Sequence, residues 1–445
     1  MPKLVRRTPS DLLAGLAAPV EKLLARAATV AQSHGATLWL VGGVVRDLFL
    51  GLPVERDIDL VVEGDAVALA QDLAVALAGR VVAAHDAFGT ATVEINGRHI
   101  AHNARNAIFL DLAGARREIY PHPAALPVVQ TASIAEDLAR RDFSINAVVL
   151  ELHADGSSLQ PARLLDPFGG QHDLEAGVLR VLHSASFVDD PTRILRGLRL
   201  AARLDLVVEP HTETFLEQAL ERKLLEETSS DRIRTELCLV FDEPRPSQVL
   251  RLADRWGLTS LIFPALRWSE RIEQAVVRFE NEMANAAHDS TLHAQVYLGL
   301  LTYDLSTEER EILIARYRLP NESAWLLRDV GAVQTVLEQL SPTLRSSEID
   351  TILRPFGPAA LWTVSYAESS PVSAIVQRYL LELRPIALSL DGHALQRLGV
   401  LPGPQLGQLL RALRAARLDG LVTSQAEEET WVREQMRQPG AGGEA

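Results

Sequence analysis

Short β-rich runs crowd the first third of the chain: "TLWLV" (37–41), "DIDLVV" (57–62), "RVVAAHD" (80–86), "TATVEI" (90–95), "HIAHNA" (99–104) and "AIFLDLA" (107–113). Apolar positions at helical spacing separate them, predicting helices over 17–34, near 44–50, over 65–78 and over 133–140. "ELHADGSSLQ" (151–160) reads as a hairpin about Asp155-Gly156. Strands alternating with helices predict an α+β or α/β block holding one mixed sheet. Beyond about residue 170 the strand signal fades, and Leu-, Ala- and Arg-rich helical periodicity runs to residue 438. "DEPRPS" (242–247), "SPTLRSS" (341–347) and "VLPGPQLG" (400–407) punctuate that helical half. The tail "PGAGGEA" (439–445) is expected to be disordered.

Composition changes this picture only at the margins. The 445 residues suffice for two to four domains, and 47% hydrophobic with 23% charged content is that of an ordinary globular protein. No apolar run is long enough to span a bilayer, and "MPKLVRRTPSDLL" lacks a signal-peptide core, so a soluble cytoplasmic protein is expected. The single cysteine, Cys238, excludes an intramolecular disulfide or thiolate metal cluster. A net charge of −14 argues against non-specific nucleic-acid binding. Arginine clustering at 140–141, 180–203 and 232–234 answers that objection, because the planar guanidinium suits phosphate oxygens and base edges.

The chemistry concentrates in "LWLVGGVVRDLFLGLPVERDIDLVV" (38–62). On a strand, Asp57 and Asp59 project to one side while Ile58 and Leu60 bury on the other. Two carboxylates so close either raise one pKa or share a cation, and oxygen donors with nothing softer nearby favour Mg²⁺. Gly42-Gly43 ends the preceding strand and lets backbone N–H groups approach a phosphate, with Arg46 expected beside it as a fixed cation. Asp111, late in its own strand, is a third candidate acid, either completing a phosphoryl-transfer site or capping a turn.

Two further segments are unusual as pure structure. "EDLARRDFSINAVVL" (136–150) sets Arg140, Arg141, Asp142 and Asn146 beside residues that require burial. These four fit triphosphate and sugar or loop contacts. "SFVDDPTRILRGLRLAARL" (186–204) opens a helix with Asp189, Asp190 and Pro191, then repeats Arg193, Arg196, Arg199 and Arg203 as a basic stripe. An Asp acceptor and an Arg donor one turn apart can bond a base edge without a template. "SSDRIRTEL" (229–237) repeats the scheme, with Glu236 as an internal partner.

Taken in order from about 36 to 266, with a weaker return in "LDGHALQRLGVLPGPQLGQLL" (390–410), these motifs resemble the bacterial class II tRNA nucleotidyltransferase (CCA-adding) and poly(A) polymerase family. The resemblance implies an α+β head with a polymerase-β-like nucleotidyltransferase fold (1–155), then an all-α neck (156–241), body (242–385) and tail (386–438). It implies Mg²⁺ and triphosphate at Gly42, Gly43, Arg46, Asp57 and Asp59, and nucleotide contacts at Arg140, Arg141, Asp142 and Asn146. The family's base reader falls on Asp189, Asp190 and Arg193, with Arg196 and Arg199 continuing the nucleotide-binding face. Here the first acid is Asp where the family usually has Glu. The implied partners are the tRNA 3′ end and CTP or ATP; no membrane is implied, and no sequence feature specifies an oligomeric state. Between the third acid's strand and "RRDF", full CCA-adding members usually carry an Asp-Gly-Arg-like element. Without it, "GARREIYPHPAALPVVQTASIAEDLA" resembles members that add only part of the terminus, either CC or the final A; CC addition is the preferred reading, with A-adding, CCA-adding and poly(A) synthesis as the alternatives. A catalytically silent RNA-binding protein is the rival from another class. His288, Asp289 and His293 are read as ordinary helix residues, not as a second active site.

Overall fold

The computed structural model describes residues 7–54, 57–96, 107–156, 158–160, 162–283 and 290–437. The chain forms two compact units, residues 1–236 and 237–445. The predicted strand at 99–104, the tail 439–445, His288 and Asp289 lie outside the described residues.

In the first unit, helices α1 (Pro9–Ala14) and α2 (Ala18–Ser33) lead into β1 (Leu38–Leu40), α3 (Gly43–Leu50), β2 (Asp57–Val62) and α4 (Ala66–Ala76). Strands β3 (Arg80–His85), β4 (Thr90–Ile95), β5 (Ile108–Gly114), β6 (Arg116–Ile119) and β7 (Val128–Thr131) follow, then α5 (Ile134–Ala139) and β8 (Val149–Asp155). Among the described residues, one mixed sheet runs β10-β8-β1-β2-β5-β4-β3, where β10 is Leu164–Leu165 and β9 (Ser158–Gln160) pairs with β8. The hairpin at Asp155-Gly156 closes as its sequence predicts, Asp155 opposite Ser158 and Gly156 at φ +63°. The sheet thus continues past residue 155, through β9 as the hairpin's second arm and through β10, whose two residues are too few for an alternating pattern to announce.

Local chemistry explains the elements around the sheet. The Asp65 side chain accepts from the N–H groups of Val67 and Ala68 and starts α4, which turns Leu69 and Leu73 into the core. Ser133 and Glu136 form a reciprocal capping box that starts α5. The sheet's Trp39, Val61 and Val149 then pack on Ile134 and Leu138 of α5. Full burial of a side chain such as Leu138 contributes about 2 kcal/mol.

After the sheet the unit is largely helical: α6 (Gly170–Ala176), α7 (Ser186–Asp189), α8 (Thr192–Leu204), α9 (Pro210–Glu221), α10 (Leu224–Glu227) and α11 (Ser230–Phe241). One small parallel pair interrupts them, β11 (Val178–Leu179) with β12 (Val207–Val208). Two-residue strands carry no readable period, so this pair was not predictable. Gly197 lets α8 lie directly on Phe143: a Cβ there would stand 2.7 Å from the ring.

The second unit is helical among the described residues. Phe279 makes edge contacts with Tyr297 and Tyr366 at its centre, with ring centroids 5.0 and 5.1 Å away. His293 meets the Phe279 ring edge-on, as an ordinary helix residue of the core. Towards the C-terminus Leu390, Leu395, Leu413 and Val432 form a further apolar cluster. No described helix is long and apolar enough to cross a membrane. The expected α+β head followed by a mainly helical remainder is the architecture observed.

Candidate active site

The site is built on the centre of the sheet. β2 lies antiparallel to β1 and parallel to β5, which sets Asp59 level with Asp111. Asp57 and Asp59 are exposed, whereas Ile58 and Leu60 are buried, as the period-two pattern requires. β4 brings Thr92 opposite Asp111 from the other side, and its Oγ1 donates to Asp111 Oδ1 at 2.5 Å.

Asp59 is electrostatically uncomfortable. Crowding by protein pushes its pKa up, and the charges of Asp111 and Asp57 add to this, while Arg141 and Arg196 oppose it. Such a carboxylate gains most from a nearby cation. Among the described residues no three acidic, histidine or cysteine side chains converge into a ready-made metal cage. The donor set nonetheless fits a hard divalent ion that keeps open positions for substrate oxygens, because it offers oxygens alone and few of them.

The glycine turn after β1 closes the near side. Gly42 has φ +67° and ψ −136°, a conformation that a side chain would strain. A Cβ on Gly42 would stand 3.5 Å from Asp59 Oδ2 and 3.6 Å from Arg141 Nη1, so the missing side chain leaves the gap between carboxylate and guanidinium open. A cavity of about 570 Å³ occupies this edge, with Gly42, Asp59, Asp111, Arg141, Asp190 and Arg193 among its walls.

Arg46 is placed differently from the expectation. It is buried, donating from Nη1 to Asn146 Oδ1 at 2.8 Å and from Nε to Asp47 at 2.9 Å, and it does not line the cavity. The first turn of α3 directs it inward, below the glycines. Asn146 Nδ2 in turn donates to Asp142 Oδ1 at 3.1 Å, and Asp142 Oδ2 accepts from Arg196 Nε at 2.5 Å. Burial alone would raise the Asp142 pKa, but Arg196, the Asn146 amide and Arg193 outweigh it and hold it low. Asn146, Asp142 and Arg196, which line the cavity, and Arg46 behind them therefore tie α3 to α8.

Arg140 and Arg141 both turn on Asp137, which is fully buried. Arg140 Nη2 reaches Asp137 Oδ1 at 2.6 Å and Arg141 Nη2 reaches Oδ2 at 2.9 Å. Asp137 was not singled out from the sequence, although its i,i+3 and i,i+4 spacing to the two arginines was a readable signal. Glu118, also missed, accepts from Arg140 Nη1 at 2.8 Å. No local spacing announces a partner 22 residues away.

At the start of α8, Asp190 Oδ1 accepts from the Thr192 N–H at 2.9 Å, from Thr192 Oγ1 at 2.6 Å and from Arg232 Nη2 at 2.6 Å. Arg193 is buried and donates to Ser186 Oγ at 2.8 Å and to the Arg140 carbonyl at 2.7 Å. Asp190, Arg193 and Arg196 line the cavity, whereas Asp57, Asp189 and Arg199 do not. Arg199 instead pairs with Glu236 of α11 at 2.8 Å, a partner 37 residues away, whereas Arg232 and Arg234 of Glu236's own segment pair with Asp190 and Asp231.

Comparison with known proteins gives the same outline. Residues 38–180 match the "Poly A polymerase head domain" family, and residues 205–269 match "Probable RNA and SrmB- binding site of polymerase A". The chain is 31% identical to an A-adding tRNA nucleotidyltransferase of Halalkalibacterium halodurans, over 93% of this chain and 92% of that one. It is 33% identical to a CC-adding tRNA nucleotidyltransferase of Deinococcus radiodurans, over 89% and 88%. An A-adding relative from Aquifex aeolicus is 32% identical over 84% of this chain, which spans only 44% of that longer protein. Among solved structures, the Thermotoga maritima CCA-adding enzyme complexed with tRNA superposes with a TM-score of 0.71 at 27% identity, over 97% of this chain and 99% of that one.

Proposed function

Because this chain belongs to the class II CCA-adding tRNA nucleotidyltransferase and poly(A) polymerase family, we propose that it transfers a nucleotidyl group from CTP or ATP to the 3′-hydroxyl of tRNA. A bond forms between the RNA 3′-oxygen and the α-phosphorus, the bond from that phosphorus to the β-phosphate oxygen breaks, and pyrophosphate leaves. The observation that carries this reading is the pairing of Asp59 and Asp111 in register in the cavity that Asp190 and Arg193 also line.

Asp57 and Asp59 would hold Mg²⁺, which when bound supplies charge neutralisation at the phosphates and polarisation of the attacking hydroxyl. Asp111, oriented by Thr92, is assigned to receive the hydroxyl proton. Arg141 faces the triphosphate across the Gly42 gap, and Asp190 with Arg193 reads the base edge. Arg46, Arg140, Asp142 and Asn146 act by holding these groups in place, and Arg196 completes the nucleotide side, while Asp189 and Arg199 stand off the cavity wall, Arg199 held by Glu236. Head, neck, body and tail are assigned to 1–155, 156–241, 242–385 and 386–438, the neck's first strands completing the head sheet.

Within the family the missing Asp-Gly-Arg-like element between β5 and "RRDF" supports partial addition, CC or the final A, and CC addition is the reading put to the test. The test supplies tRNA ending at the discriminator base, at CC and at CCA with each NTP singly, and reads product length on a gel. CC addition extends only the first substrate, by two cytidylates. A single adenylate on the CC end alone would mean A addition, that product together with two cytidylates on the first substrate would mean full CCA addition, and long adenylate ladders on any RNA would mean poly(A) synthesis. No extension of any substrate would remove the enzymatic reading.

A further inference from the structure

A nucleobase makes two demands on a site: donors and acceptors for its edge, and an apolar surface for its faces. Asp190 and Arg193 meet the first. Around them Arg116, Glu118 and Arg140 are charged, and Tyr120 is the one phenyl-type ring among the described cavity walls.

Tyr120 follows β6 and is half-buried. Its hydroxyl donates to Glu118 Oε2 at 2.8 Å, and Glu118 Oε1 accepts from Arg140 Nη1 at 2.8 Å. The Arg140 carbonyl accepts from Arg193 Nη2 at 2.7 Å. The phenol is thus tied, link by link, to the side chain assigned to base reading. Burial, then the Glu118 charge, raises the phenol's pKa, so the hydroxyl stays protonated and remains a donor to Glu118.

We propose that Tyr120 is the stacking wall for the base of the incoming nucleotide, with Glu118 fixing the ring by its hydroxyl. The proposal rests on the nucleotidyl-transfer reading above. A ring held at its tip keeps its face in position, which a freely rotating side chain would not. Stacking is tolerant of base identity, so this wall would bind CTP and ATP while Asp190 and Arg193 distinguish them.

The test is equilibrium dialysis of labelled CTP and ATP against full-length protein, with Mg²⁺ present, alongside kcat and KM on tRNA. Tyr120→Phe keeps the ring but loses the Glu118 bond at its tip, and should bind only a few-fold more weakly than wild type. Tyr120→Leu should bind about ten- to a hundredfold more weakly, the range for loss of one base–aromatic stack. The loss should appear in KM, with kcat at saturation nearly unchanged. Tyr120→Gln, which retains a hydrogen-bonding tip without a ring, should show the same loss and serves if the Leu variant does not fold. Wild-type affinity in the ringless variants, or a Phe variant as weak as they are, would overturn the stacking role alone. Wild-type protein that bound neither nucleotide would overturn the parent reading, and this one with it.

Discussion

Asp59 is held in a conflict that a bound cation relieves: crowding by protein and the charges of Asp111 and Asp57 outweigh Arg141 and Arg196 and favour its neutral form, while the proposed chemistry requires its charge. Asp59→Ala should therefore reduce incorporation by at least about a thousandfold, the several kcal/mol a lost ion-binding carboxylate represents. Affinity for tRNA, measured by filter binding, should stay near wild type, and equal activity in the variant would remove the metal assignment. Arg193 makes a separate prediction. Its planar fork is committed to Ser186 and the Arg140 carbonyl, so its orientation is fixed before any nucleotide arrives. Arg193→Lys keeps the charge but loses the fork, and should narrow CTP/ATP discrimination by about 1–3 kcal/mol, read from the ratio of kcat/KM values.

Among the elements, α5 and α8 decide whether the cavity exists. Asp137 of α5 holds Arg140 and Arg141 together, and although burial by itself would raise its pKa, Arg141 and Arg140 outweigh that and hold it below the ordinary value. A depressed carboxylate pKa means stability that is present above the unfolded value near 3.9 and is lost as pH falls through the folded one. Asp137→Asn should therefore be less stable than wild type by about 3 kcal/mol at pH 7, with the gap closing below about pH 4 in urea titrations. Helix α8 is placed by contact rather than charge. Gly197→Ala would press a methyl into Phe143 and should cost about 1–3 kcal/mol, seen as a lowered urea midpoint. The elements themselves were largely readable: α4 observed over Ala66–Ala76 answers a pattern seen over 65–78, and the Asp155-Gly156 hairpin answers its turn residues. The β11–β12 pair was not, because two residues cannot display a period.

For the molecule as a whole, an acidic chain whose Arg140, Arg141, Arg196 and Arg199 are already paired to carboxylates is poorly suited to gripping RNA indiscriminately. Recognition would then rest on shape and on the 3′ terminus, since double-stranded RNA offers little base readout. An unstructured oligonucleotide ending in the same nucleotides should be extended at least about tenfold less efficiently than tRNA, measured as kcat/KM under equal salt. Equal efficiency would favour the poly(A)-type alternative.

What the sequence determined by itself was whatever depends on neighbours along the chain. Asp57 and Asp59 share a strand face because side chains alternate, Gly42 marks a turn that other residues strain, and Asp190 with Arg193 opens one helix. What only the tertiary structure decided was which charges meet across distance. Arg46, expected at a phosphate, turns inward to Asn146 a hundred residues later, and Arg199 is claimed by Glu236. Side-chain spacing is set by the local backbone, but the partner of a buried charge is set by whichever opposite charge the packed sheet and helices bring within a few ångströms.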